Sequence, residues 1–180
     1  MPTWAWIVIL AAVVVVVALA AAAAWRRRRS RQLQEGFGPE YERAVADAPT
    51  RREAEAELRE REKRHEELEL RPLPVELARR FAERWTSIQQ RFVDDPPGAT
   101  GAAHQLLLEV MEARGYSTDE ERRIDDLSVD HPQLVQHYRA AMTVHDDGDT
   151  EALREAFVSY RALFDELLQT EEKAGATNPR

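Results

Sequence analysis

The stretch "LARRFAERWTSIQQRF", residues 77–92, decides the fold. Leu77, Phe81, Trp85, Ile88 and Phe92 follow one another at spacings of 4, 4, 3 and 4. Only a helix brings residues so spaced onto one face, and a face this apolar must be covered by other elements. Pro72 and Pro74 precede it and mark its start, and Asp94 or Asp95 ahead of Pro96 supplies a stop and a new N-cap. The next segment, "GAAHQLLLEVMEARG" (101–115), gathers Ala103, Leu106, Leu107, Val110 and Met111 on one side and stops at Gly115.

Ser117 with Glu120 has capping-box spacing and opens a short helix carrying Ile124 and Leu127. Pro132 then starts a helix with Leu134, Val135, Tyr138, Ala141, Met142 and His145 at helical spacing. After the turn "DDGDT" (146–150), Leu153, Phe157, Tyr160, Phe164, Leu167 and Leu168 define the last apolar face. No segment beyond the N-terminal apolar stretch alternates with period two. The expectation is an all-α protein with a small antiparallel bundle over residues 72–170 and a disordered tail at 171–180.

Upstream of the bundle the composition changes. "TRREAEAELREREKRHEELEL" (50–70) begins with Thr50 three residues before Glu53, a capping box. Glu55–Arg59, Glu57–Arg61 and Glu60–Arg64 are acid-to-base pairs at i, i+4, each worth about 0.2–0.5 kcal/mol in an isolated helix. Its best apolar stripe, Ala54, Leu58, Arg61, His65 and Leu68, has two polar members, which encodes a dimeric coiled coil poorly. Residues 50–71 therefore read as a charged, solvated helix, a stalk or a strut on the bundle. Residues 26–49 form a basic juxtamembrane segment, a hinge at Gly36, Gly38 and Pro39, and a short helix on which Tyr41 and Val45 share a face.

From Trp4 to Trp25 no side chain is charged. As a helix this stretch spans about 33 Å, enough to cross a hydrocarbon core of about 30 Å. The valines at 13–17 would suit a strand in water, but a lone strand in lipid leaves its backbone unpaired. Trp4, Trp6 and Trp25 stand at the two ends, where indoles prefer the headgroup region, and Arg26, Arg27, Arg28, Arg29 and Arg31 follow at once. The alanines at 18–24 offer small-residue cleavage patterns that suit an export signal. Against cleavage stand the length of the apolar run, the absence of a preceding Lys or Arg, and the arginines behind it. Segment 1–25 is accordingly expected to be a single-pass anchor in the cell membrane, N-terminus outside and C-terminal part cytoplasmic. Export of the C-terminal part is the alternative.

The chain carries 25 Lys and Arg against 33 Asp and Glu. Five of the basic residues lie in the first 31 positions with no acidic one, so the remaining part has a net charge of −13. Such a surface repels phosphate backbones, which argues against nucleic acid as a partner. The arginine cluster is the exception, and anionic lipid headgroups are its expected partner. Absence of cysteine rules out disulfides, thiolate catalysis and cysteine-ligated zinc.

The five histidines, at 65, 104, 131, 137 and 145, are the candidate metal ligands. Only Glu62–His65 has Glu-x-x-His spacing, and "HEEL" (65–68) lacks the second histidine of a zinc-protease motif. "HDDGD" (145–149) lacks the alternating ligands and closing glutamate of a calcium loop. Ser128, Asp130 and His131 have the letters of a hydrolase triad without its geometry, and Ser128 and Asp130 read better as caps. No phosphate-binding loop, dinucleotide fingerprint or nucleophile elbow occurs. No catalytic residue, cofactor or metal site is expected. The most singular segment is "LSVDHPQLVQHYR" (127–139), where Asp130, His131, His137, Tyr138 and Arg139 form a candidate interaction surface.

"FGPEYERAV", "ELRPLP", "RFVDDP" and "LSVDHPQLVQHYRAA" resemble recurring blocks of an uncharacterised actinobacterial family of single-pass membrane proteins, over roughly residues 35–145. The resemblance implies a membrane-anchored helical architecture and brings no activity, ligand or catalytic residue with it. The expected function is that of a noncatalytic, membrane-tethered module that engages an unknown protein partner. The alternatives are an enzyme or small-ligand binder with a pocket between bundle helices, and an exported envelope structural module.

Overall fold

The computed structural model describes the backbone of residues 3–144 and 149–176, and the side chains of residues 10, 12–144 and 149–168. Eight helices and no strand occur among the described residues: α1 (Thr3–Phe37), α2 (Pro39–Asp47), α3 (Arg51–Glu66), α4 (Val75–Arg91), α5 (Pro96–Arg114), α6 (Glu120–Asp130), α7 (Pro132–Met142) and α8 (Thr150–Ala176). The chain divides into two compact units, Met1–Leu58 and Arg59–Arg180, so α3 contributes a half to each.

In the first unit, α1 runs through Gly36 and ends where Gly38 takes a positive φ of 48°, with Pro39 opening α2. Glycine has no Cβ to clash in that conformation, and proline's missing N–H costs nothing at a helix start. Thr50 caps α3 as the sequence predicts, its Oγ1 accepting from Glu53 N at 3.2 Å. Leu33, Phe37, Tyr41, Ala44, Ala54 and Leu58 are buried.

The second unit is the helical bundle. Helix α5 packs on α4 and α8, and α7 packs on α6 and α8. Every member of the predicted α5 face, Ala103, Leu106, Leu107, Val110 and Met111, is completely buried. Phe81 and Trp85 of α4 are buried against the same core, with Leu77, Ile88 and Phe92 at its margin. Asp95 caps α5 through Gly98 N (3.0 Å), and Gly115 ends it at φ 99° while Tyr116 N bonds back to Met111 O at 3.0 Å.

Four expectations change. Residues 50–71 are not solvated all round: α3 ends at Glu66, Ala54 and Leu58 are fully buried, and Arg61 and His65 of the same stripe are largely covered. The N-cap of α6 is Asp119, which accepts from Arg122 N at 3.0 Å, while Ser117 Oγ accepts from Asp119 N. Ser128 and Asp130 do not cap α7. Ser128 Oγ donates to Asp125 O, and the cap position is His131 without a side-chain bond. Helix α8 continues to Ala176, into the stretch read as a tail.

Candidate functional site

Two polar sites stand apart from the apolar core. The first lies in the unit Met1–Leu58. Arg26, Arg27, Arg28, Arg29 and Arg31 are all exposed on α1, and the Arg29 guanidinium sits 5.2 Å above the indole of Trp25. Arg27, Ser30, Arg31 and Gln34 recur at spacings of 3, 1 and 3, so they share one helix face. With Arg26 from α1 and Arg51 and Glu55 from α3, they line a groove of about 380 Å³.

Glu55 organises this groove. Its Oε1 accepts from Ser30 Oγ (2.6 Å), Tyr41 OH (2.9 Å) and Arg51 Nε (3.1 Å). Partial burial acts to raise the Glu55 carboxyl, and these three bonds outweigh it and hold the group below its usual range. Arg51 also donates from Nη2 to Ser30 Oγ at 2.8 Å and lies 5.6 Å over the Tyr41 ring. Its direction is therefore fixed from three sides.

N-terminal to the arginines, Leu10, Val13, Val14, Val15, Val16, Val17 and Leu19 are each between 52 % and 66 % exposed. Among the described residues no helix is long and apolar enough to cross a membrane. The side chains of Trp4 and Trp6 lie outside the described residues, and Trp25 is 60 % exposed.

The second site lies in the unit Arg59–Arg180, where the C-terminal half of α3 meets α6. Arg61 and Arg64 reach Asp125 at 3.1 and 3.0 Å. One turn on, His65 Nε2 lies 2.9 Å from Asp130 Oδ2, which also accepts from Tyr116 OH at 2.7 Å. The bond to Asp130 raises the pKa of His65 against the opposing effect of burial. For Asp130 itself, burial pushes upward, and the bonds from His65 and Tyr116 prevail and lower it. Burial raises the neighbouring Asp126 carboxyl, whose Oδ2 is enclosed without a hydrogen-bond partner.

The candidate surface at 130–139 is not brought together as one face. Asp130 is paired within the α3–α6 seam, with 26 % of its side chain exposed. His131 is partly buried, and burial lowers its pKa. Tyr138 is entirely buried, 3.4 Å from His104 Nε2 and edge-on to Tyr160. His137 is exposed and Arg139 partly so. Among the described residues no group of three or more His, Cys, Asp or Glu could hold a metal ion, and residues 145–148, including His145, lie outside them.

Sequence reasoning missed Glu55, Arg61, Arg64, His65, Tyr116 and Asp125 as site residues. A signal existed for two of them: Arg61 and His65 continue the stripe of Ala54 and Leu58, so polar residues on a buried face called for distant partners. No protein-family model, curated protein or solved structure matches the chain.

Proposed function

We propose that this chain is a noncatalytic, membrane-tethered helical module, anchored by residues 4–25 and presenting its acidic bundle to another protein. The observation that carries the reading is the bare apolar surface of α1, with seven described Leu and Val side chains more than half exposed. In water each such side chain forfeits about 1.5–3 kcal/mol of burial, and hydrocarbon removes that penalty. The arginines begin immediately after Trp25 and lie open to solvent, the arrangement that retains a segment on the cytoplasmic side. The C-terminal part is then cytoplasmic, with a net charge of −13 beyond residue 31 that favours a basic protein surface as partner.

A reporter fused to the C-terminus tests the orientation. Activity confined to the cytoplasm is expected, and activity confined to the outer side would replace tethering inside by export. Affinity capture from solubilised membranes, with the anchor intact, then tests the partner. A specific basic partner lost at high salt fits the proposal, and a small molecule that strongly raises the melting temperature would favour the pocket-based alternative.

A further inference from the structure

We propose that the groove lined by Arg26, Arg27, Ser30, Arg31, Gln34 and Arg51 binds a phosphate ester, supplied by the headgroup of an anionic lipid. This rests on the anchor reading, which puts the groove at the membrane surface. Two observations lead there, and a third point follows from the anchor reading. The groove carries four arginines against one carboxylate, Glu55, and that carboxylate is engaged by Ser30, Tyr41 and Arg51. Its cations come from two helices, and the network around Glu55 directs Arg51 toward the α1 face that bears Arg27 and Arg31. A guanidinium has five N–H donors, and the bonds from Nε to Glu55 and Nη2 to Ser30 leave others for two oxygens of a phosphate.

The third point is depth, which follows from the anchor reading. At about 1.5 Å per residue, Arg27 and Arg31 lie about 3 and 9 Å beyond Trp25 along the helix axis. The headgroup layer on one side of a bilayer is about 5–8 Å deep, so these side chains start within it or just beneath it. Arg28 does not line the groove, and Arg29 is stacked on Trp25. The arginine run thus divides into residues that converge on one site and residues that only add charge.

That division supplies the test. Full-length protein in zwitterionic micelles is titrated with fluorescent phosphatidic acid, as wild type and as Arg27→Gln, Arg31→Gln and Arg28→Gln. All three variants lose the same charge from an exposed helix position. Diffuse attraction costs each about fivefold in affinity. A site with directed charge-assisted bonds costs Arg27→Gln and Arg31→Gln roughly tenfold more than Arg28→Gln. Equal losses in all three overturn the groove. Inorganic phosphate serves as competitor: displacement at concentrations comparable to the lipid's overturns the lipid as source in favour of a free phosphate, and failure to displace supports the headgroup. Flotation with pure phosphatidylcholine vesicles tests the anchor separately, because it needs no anionic lipid. Protein that does not float contradicts the anchor, while the ranking of the three variants in micelles still decides the groove.

Discussion

Trp85 stacks on Phe164 with ring centroids 4.7 Å apart and tilts against Phe157 at 5.2 Å, inside a core that leaves it almost no solvent contact. Trp85→Ala should cost about 3–5 kcal/mol, since its neighbours belong to different turns of α8 and cannot close the gap together. Urea unfolding measures this, and an unchanged midpoint would mean that α4 buries another face. His65 makes a different kind of prediction. Its pKa is raised in the folded protein, so its stabilisation is complete below the unfolded value of about 6.5 and disappears as pH rises through the folded value. Asp130 is shifted down, so its share is present above about 3.9 and is lost as pH falls through the lowered value. His65→Gln should therefore lower stability by about 1–2 kcal/mol between those limits, and the deficit should shrink above the folded His65 pKa. His104 is shifted down by burial and is common to both proteins, whereas the charge on His65 also lowers His131, so part of the His131 contribution changes with the substitution. A deficit independent of pH would show that the pair contributes by packing and not by charge.

At the scale of elements, local signals were the readable ones. The face of α5, the Asp95 cap, the Thr50 cap and the Gly38–Pro39 break are each fixed by residues within a turn or two. Helix α3 shows where legibility ended. Its charges match at i, i+4 and suggest solvent, yet Arg61 and His65 find their partners on α6, at Asp125 and Asp130. The stripe shared with Ala54 and Leu58 signals that Arg61 and His65 are covered, but which residues answer them depends on the fold's long-range geometry. The groove was hidden for the same reason, because Arg51 and Ser30 are 21 residues apart. The end of α5 gives a sharp test of local geometry. A Cβ on Gly115 would stand 2.7 Å from the backbone oxygen of Glu69, at a φ of 99° that side chains rarely adopt. Gly115→Ala should cost about 1–3 kcal/mol, measured by thermal unfolding of the bundle. A neutral result would mean that the α3–α4 connection yields to make room.

For the whole molecule, the decisive contrast is between the described apolar side chains of α1 from Leu10 to Leu19, seven of which are more than half exposed, and a bundle whose apolar faces are enclosed. The bundle encloses its own apolar faces, whereas the proposed anchor would place the exposed apolar side chains of α1 in hydrocarbon. An export signal and an anchor are both apolar, and what separates them is whether residues 4–25 remain on the mature chain. Intact mass measurement of the protein recovered from carbonate-washed membranes decides this most directly. A membrane-retained chain that still includes Trp4–Trp25 is expected. A mature chain beginning near Trp25 and released by the wash would contradict the anchor.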